Sequence, residues 1–140
     1  MAPVVNRFVL DCSVSAAWCL QEAGSETAEK ILELMSGADV LVPSLWLVEM
    51  ANVLVVAQRR GRISPADVVR AENLLRVLPI RIDPVRHGDL ARLRAVAVEH
   101  GLTAYDAGYL ELAMRNRLPL ATLDDGLRRA ANKAGVELLS

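Results

Sequence analysis

Three acidic residues stand where elements of secondary structure should begin or end, and a fourth lies inside a predicted helix. Asp11 ends the apolar run VVNRFVLD, and Asp124 follows the run LPLATL. Asp106 lies at the start of an apolar helical segment, and Glu49 lies inside another. Ligand sites of open parallel sheets gather at the carboxyl ends of the strands, so Asp11 and Asp124 are expected at one edge. The first turn of the helix that carries Asp106 can open on the same edge.

Glu49 carries the strongest indication of a site. Between Leu45 and Ala57 the sequence reads LWLVEMANVLVVA, in which only Glu49 and Asn52 are polar. A helix that is apolar on all sides is expected to be buried. A lone buried carboxylate is unfavourable by several kcal/mol unless it is paired, neutralised or bound to a cation. Asn52 shares the face of Glu49 because it follows three residues later. The segment therefore predicts a buried helix with one polar stripe.

Each acid also has an ordinary structural explanation. Three of them fit helix caps: Asp11 before a helix near Ser13, Thr103-x-x-Asp106, and either Asp124 itself or Thr122-x-x-Asp125. Glu49 could pair with Arg59 or point outward. All of these explanations would have to hold at once, so we favour a common site, in which a capping acid can also be a ligand.

Clustered carboxylates predict a particular chemistry. Their oxygens are hard ligands that select Mg²⁺ or Mn²⁺ over zinc. Several carboxylates cannot all ionise in one pocket unless a cation is present. Such a cation can activate water and stabilise the charge that develops on a phosphoryl oxygen. Phosphodiester hydrolysis is the reaction that this set of residues favours.

Other catalytic schemes lack their parts. His87 and His100 have neither metal-ligand spacing nor a nearby nucleophile motif, and no GxSxG, P-loop or GxGxxG is present. A haloacid-dehalogenase-type phosphatase would carry DxD after the first strand, where this chain has DCS. A receiver domain needs a lysine after a late strand, and Lys30 and Lys133 are badly placed for that role.

Short apolar strands alternate with helical segments along the whole chain. This order predicts an α/β fold, a three-layer α/β/α sandwich with a mostly parallel central sheet. One helix, built on Leu90, Leu93, Val96 and Ala97, is expected to be amphipathic, and another opens with a Ser64–Asp67 capping box. The expected strands are 4–11, 39–43, 80–83, 118–123 and 136–139. The expected helices are 13–21 (with Ser13 as a candidate cap), 25–37, 44–61 (with Ser44 as its cap), 64–79, 87–101, 103–117 and 125–135.

Composition limits the class of protein. The chain has 140 residues, of which 53% are hydrophobic and 24% charged, as in a globular protein. We expect one domain over residues 1–140. The net charge of −1 argues against a protein that coats nucleic acid by bulk electrostatics, although a local basic face is possible. Cys12 and Cys19 form no zinc or disulfide pattern, and no apolar run reaches the length of a membrane span. We expect a cytoplasmic protein.

Four stretches, VLDCSVSAAW, PSLWLVEMANVL, LTAYDAGYLELA and LPLATLDDGL, occur in this order. The ordered set resembles PIN domains, and more narrowly the VapC toxins of bacterial type II toxin–antitoxin pairs. The resemblance implies a three-layer α/β/α domain that binds Mg²⁺ or Mn²⁺ through a quartet of acids and cleaves RNA.

Carried over by motif, the resemblance makes Asp11, Glu49, Asp106 and Asp124 the catalytic and metal-binding acids. Asp11 matches the acid of LDxS, Glu49 that of the helix motif E-x-x-N, Asp106 that of T-x-Y-D-A, and Asp124 that of A-T-x-D. The remaining matches are supporting or uncertain: the Ser13 and Thr122 hydroxyls and the Asn52 amide match supporting positions, and Asp125 could substitute for Asp124.

The resemblance also implies two protein partners, a second copy in a homodimer and an antitoxin that occupies the active-site face. Two alternatives remain open, a PIN nuclease of housekeeping RNA processing or repair and a PIN-like interaction module without catalysis. Several arginines are candidate RNA contacts, although a solvated basic face explains them equally well: Arg59, Arg60, Arg62, Arg128 and Arg129.

Overall fold

Strands and helices alternate along the described part of the chain. The computed structural model describes residues 6–21, 25–84 and 86–139. Its strands are β1 (Arg7–Leu10), β2 (Asp39–Pro43), β3 (Ile80–Asp83) and β4 (Leu120–Ala121). Its helices are α1 (Cys12–Leu20), α2 (Glu26–Leu34), α3 (Leu45–Arg59), α4 (Pro65–Val77), α5 (Asp89–His100), α6 (Ala104–Asn116) and α7 (Asp125–Ala134).

The four strands form one sheet in the order β3-β2-β1-β4, and every neighbouring pair is parallel. The chain moves outward from β1 to β3 and then returns across the sheet to β4. Because parallel crossovers are right-handed, this reversal places α1 to α4 on one face and α5 and α6 on the other. The predicted three-layer α/β/α architecture with a parallel central sheet is confirmed.

The reversal of strand order makes β1 and β4 neighbours. Val9 pairs with Leu120 and Leu10 pairs with Ala121, so the residues that follow both strands leave the sheet side by side. Phe8, Val9 and Leu10 are fully buried, as central strands covered on both faces should be. The sheet therefore brings the end of β1 next to the connection that leads from β4 into α7.

The last two predicted strands differ from the structure. The strand predicted at 118–123 contracts to Leu120–Ala121, and the predicted strand at 136–139 is wrong. Leu138 forms only an isolated parallel bridge with Leu120, in which the Leu120 amide donates to the Glu137 carbonyl at 2.8 Å and the Leu139 amide donates to the Leu120 carbonyl at 3.0 Å. The first strand begins at Arg7 in the described residues, and the predicted positions 4 and 5 lie outside them.

The prediction that α3 is buried on all sides is wrong. Its buried side chains, among them Trp46, Met50 and Leu54, follow a single helical stripe. Leu47 and Val48 lie outside this stripe and are 51% and 72% exposed. The helix packs on α1 and α4 with one side only, so its apolar sequence covers solvent-facing positions as well as the core.

The expected face of α5 and two expected caps also differ. Leu90 is 77% exposed, whereas Val96 and Ala97 are buried as predicted. Ser44 makes no side-chain capping bond, and the cap of α1 is Asp11 rather than Ser13. The Ser64–Asp67 capping box is confirmed, with both of its reciprocal hydrogen bonds present. Among the described helices, none is long and apolar enough to cross a bilayer.

Candidate active site

Asp11 leaves β1 at the sheet edge and caps α1. Its backbone is extended (φ −77°, ψ 148°), so the carboxylate turns back over the first turn of that helix. Three donors converge on its Oδ2 atom: the Ser13 hydroxyl at 2.6 Å, the Thr122 hydroxyl at 2.8 Å and the Ser13 amide at 3.4 Å. Asp11 is only 5% exposed, and these bonds hold one of its oxygens firmly in place.

The two hydroxyls beside Asp11 also organise the segment after β4. The Leu123 amide donates to the Ser13 hydroxyl at 2.9 Å, and the Asp124 amide donates to the Thr122 hydroxyl at 3.1 Å. Asp124 caps α7 because its Oδ2 accepts the Leu127 amide at 2.8 Å. The capping explanations for Asp11 and Asp124 therefore hold, and both caps open on the same edge of the sheet.

Asp106 lies in the first turn of α6, where Thr103 provides the cap. The Thr103 hydroxyl accepts the Asp106 amide at 3.2 Å. A complete capping box would need the Asp106 carboxylate to bond back to the Thr103 amide. That carboxylate accepts no hydrogen bond from the described residues, and it is half-buried. Its oxygens are therefore available for another contact.

Glu49 is half-buried on α3, and its Oε1 accepts a 2.6 Å hydrogen bond from the Tyr109 hydroxyl. The expected alternative, a pair with Arg59, is absent from the described contacts. Asn52 is exposed rather than part of a buried stripe. Tyr109 was missed by the sequence analysis, although its position three residues after Asp106 on an apolar helix could have indicated it.

Burial raises the pKa of three of the acids, and neighbouring acids raise it further. The pKa of Asp11 is raised by burial and, to a smaller degree, by Asp124, against the lowering effect of its hydrogen bonds. Burial raises the pKa of Glu49, and Asp11 and Asp106 add to this. The pKa of Asp106 is raised by burial and by Asp11 and Asp124. Each of the four predicted acids thus lies within electrostatic range of at least two of the others.

This set of donors suits a hard divalent cation. It offers carboxylate oxygens, and no basic side chain contributes to the pKa of Asp11, Glu49 or Asp106. As the side chains stand, no three His, Cys, Asp or Glu residues of the described ranges form a ready metal cage. Mg²⁺ does not need one, since it keeps several waters and uses one or two carboxylates. The residues fit a cation held in an open cluster.

Asp125 and the arginines stand apart from this cluster to different degrees. Asp125 is exposed at the first position of α7 and does not contribute to the pKa of Asp11 or Asp106, whereas Asp124 does. The Arg128 guanidinium lies beside the cluster and donates to the Thr122 carbonyl at 3.0 Å. Arg59 ends α3, about 15 Å from Glu49 along the helix axis at 1.5 Å per residue.

Comparison with known proteins adds independent information. A family model described as PIN domain matches residues 8–133. Ribonuclease VapC3 of Pyrobaculum aerophilum is 32% identical over 122 residues, which cover 84% of this chain and 89% of that protein.

Solved structures agree with this similarity. The crystal structure of PAE2754 from Pyrobaculum aerophilum is 28% identical, covers 90% of this chain and 79% of its own, and has a TM-score of 0.67. FitAcB from Neisseria gonorrhoeae is 20% identical with a TM-score of 0.65, and covers 95% and 96% of the two chains. A toxin–antitoxin complex from Klebsiella pneumoniae is 20% identical with a TM-score of 0.59, and covers 84% and 86%. At 20% identity these last two show a shared fold alone.

Proposed function

The chain belongs to the PIN-domain family, and on that premise we propose that it is a metal-dependent endoribonuclease, the toxin of a type II toxin–antitoxin pair. The relative named Ribonuclease VapC3 supports RNA as the substrate and hydrolysis of phosphodiester bonds as the reaction. We also propose that residues 1–140 act as one nuclease domain, which the family match over residues 8–133 supports.

The convergence of Asp11, Glu49, Asp106 and Asp124 is the observation that carries this proposal. They come from four different elements, and each of the first three has its pKa raised by at least one other member. Structural caps have no reason to gather in this way, because mutual repulsion makes such a cluster unfavourable. A cation-binding role explains both the convergence and the residue type.

In this mechanism the acids bind and orient, and the hydroxyls position the acids. Asp11 is pinned through Oδ2 by Ser13 and Thr122, and we assign its Oδ1, which accepts no hydrogen bond from the described residues, as the ligand. The Asp106 carboxylate, which accepts no bond from the described residues, is free to take up an inner or water-mediated contact. When bound, Mg²⁺ or Mn²⁺ supplies an activated water and offsets the charge on the phosphoryl oxygens.

Asp124 and Glu49 flank this pair. Asp124 uses its Oδ2 for the Leu127 amide and keeps its other oxygen for the cluster. Glu49 uses Oε1 for Tyr109 and keeps Oε2. Without a cation these carboxylates would repel the phosphates of RNA, so cation binding and substrate binding are expected to be coupled. Arg128 and Arg129, on the first turns of α7, are the candidate phosphate contacts nearest the acids.

A purified protein and a defined RNA test the activity. Mn²⁺ should support cleavage, EDTA should stop it, and Asp106→Asn should be inactive under the same conditions. Mapping the fragment ends in total RNA after induced expression identifies the cleaved sequence. A protein that binds Mn²⁺ but cuts no RNA would favour the alternative of a non-catalytic interaction module.

We propose an antitoxin as a partner and a homodimer as the assembly. The toxin–antitoxin complex from Klebsiella pneumoniae shares the fold, which supports the partner without identifying it. Induced expression should arrest growth, and co-expression of the cognate antitoxin should restore it. Cleavage in vitro without growth arrest would instead favour a housekeeping RNA-processing nuclease. Sedimentation of the purified chain measures the oligomeric state.

A further inference from the structure

Tyr109 connects the interior of the protein to the acid cluster. It lies on α6, its side chain is 0% exposed, and its hydroxyl donates to Glu49 Oε1 at 2.6 Å. Tyr109 follows Asp106 by three residues and therefore lies on the same face of the helix, one turn further in. One helix thus presents an acid of the cluster directly and contacts a second acid through this phenol.

The hydrogen bond restricts the orientation of the Glu49 side chain but uses only one of its two carboxylate oxygens. A glutamate has three rotatable side-chain bonds, and ordering such a side chain is entropically unfavourable. The phenol donates to Oε1, and Oε2 accepts no hydrogen bond from the described residues. A buried tyrosine hydroxyl needs a partner in any case, and here that partner is a carboxylate rather than a backbone carbonyl.

Gly108, next to Tyr109 on α6, faces the first turn of α3. A Cβ atom added at Gly108 would stand 2.8 Å from Leu45 Cδ2, closer than van der Waals contact allows. Leu45 precedes Glu49 by four residues and shares its face of α3. The Leu45 side chain therefore occupies the space that a side chain at position 108 would need, one turn of α3 before Glu49.

We propose that Tyr109 is a positioning residue for the cation site, which acts by holding the Glu49 carboxylate in the orientation that a divalent cation requires. The proposal rests on the proposed function, because it needs Glu49 to be a ligand. It goes beyond that function by assigning a role to a buried residue that itself contacts neither cation nor substrate. A merely structural phenol would affect folding and leave cation affinity unchanged.

The test is Mn²⁺ affinity measured on the full chain without RNA, by the electron paramagnetic resonance signal of free Mn²⁺. Tyr109→Phe keeps the ring and removes the hydroxyl. Outer-shell substitutions typically weaken metal affinity about 10- to 100-fold, and we expect a loss of at least about tenfold. Tyr105→Phe is the matched control, since Tyr105 is 68% exposed and adjoins Asp106, and its affinity should be unchanged.

A double-variant cycle shows whether Tyr109 acts through Glu49. In a Glu49→Gln background, Tyr109→Phe should cause no further loss of Mn²⁺ affinity. Melting temperatures in EDTA provide the folding readout, and Tyr109→Phe should lower them only slightly, because the half-buried Glu49 carboxylate loses one hydrogen bond. Glu49→Asp keeps the negative charge but shortens the side chain by one methylene, so the carboxylate moves away from the phenol. This variant should weaken Mn²⁺ binding although Tyr109 itself is not substituted.

Two results separate the possible failures. The positioning role is overturned if Tyr109→Phe binds Mn²⁺ with wild-type affinity. It is also overturned if Tyr109→Phe loses as much Mn²⁺ affinity in the Glu49→Gln background as in the wild type. Either result leaves the proposed nuclease intact. A wild-type protein that binds no Mn²⁺, or an affinity unaffected by Glu49→Gln, overturns the assignment of Glu49 as a ligand and the role of Tyr109 with it.

Discussion

The Asp11 carboxylate accepts a 2.8 Å hydrogen bond from the Thr122 hydroxyl across 111 positions of sequence. Asp11 follows β1 and Thr122 follows β4, and the two strands are neighbours in the sheet. Thr122 is fully buried and its hydroxyl also accepts the Asp124 amide. One threonine therefore fixes the relation between two acids of the cluster.

Replacing Thr122 with Val should damage both stability and cleavage. Valine keeps the volume but leaves the Asp124 amide without its acceptor and Asp11 without one of its donors. Leaving a buried polar partner unsatisfied destabilises by about 1–3 kcal/mol, which urea unfolding in EDTA can measure. We expect cleavage to fall as well, because Asp11 loses orientation. Thr122→Ser, which retains a hydroxyl, should recover most of both losses, and failure to do so would contradict the role of the hydrogen bonds.

Asp106→Asn should abolish cleavage without destabilising the metal-free protein. Its carboxylate accepts no bond from the described residues and is raised in pKa by burial and by Asp11 and Asp124, so removing the charge relieves repulsion. Loss of several kcal/mol of transition-state stabilisation corresponds to about a hundredfold or more in rate. Initial rates with Mn²⁺ check the loss of cleavage, and melting temperatures in EDTA check that stability is retained. A clear fall in the EDTA melting temperature would indicate a structural role instead.

Asp124→Asn and Asp125→Asn should differ although they are adjacent. Asparagine caps helices about as well as aspartate, so Asp124→Asn keeps the bond to the Leu127 amide and removes only the charge. We expect a large loss of cleavage for Asp124→Asn, with a melting temperature near the wild-type value. Asp125→Asn serves as the control and should retain activity. The reverse order of activities would move the assignment by one residue.

The ends of the RNA fragments should distinguish water from the 2′-hydroxyl as the nucleophile. Side-chain acid–base ribonucleases favour groups such as His, but His87 lies before α5 and His100 ends it, and neither contributes to the pKa of the acids. Hydrolysis by water leaves a 5′-phosphate and a 3′-hydroxyl, and it should stop in EDTA. End-group labelling checks this, and a 2′,3′-cyclic phosphate formed in EDTA would contradict the mechanism.

The free energy of unfolding should depend on pH through Asp39. This residue begins β2, at the end of the sheet opposite the acids. The Arg81 guanidinium, and then Arg7, holds the pKa of Asp39 below its ordinary value. A carboxyl group whose pKa is lowered on folding stabilises the fold at pH values above its ordinary pKa. This stabilisation is lost as the pH falls through the pKa of the folded state. Asp39→Asn should therefore be less stable at neutral pH, by no more than about 1 kcal/mol for exposed pairs. This difference should vanish in strong acid, as urea unfolding across pH can show.

The sequence alone determined the local features of the protein. Apolar periodicity predicted the alternation of strands and helices, because it depends on residues within one or two turns. The Ser64–Asp67 capping box was predictable for the same reason, since all of its atoms lie within three residues. The positions of Asp11 and Asp124 after their strands followed from this local order, and the rule for parallel sheets then placed them at one edge.

Only the tertiary structure decided what the cluster is made of and how it is held. The strand order β3-β2-β1-β4 makes β1 and β4 neighbours, and no local pattern encodes that choice. The Tyr109–Glu49 bond spans 60 positions and joins α6 to α3, two helices that are far apart in the sequence. Exposure of Val48 was equally unpredictable, because an apolar helix reveals its composition but not how many neighbours cover it. Contacts between distant segments depend on the packing of whole elements, and packing is a property of the assembled fold.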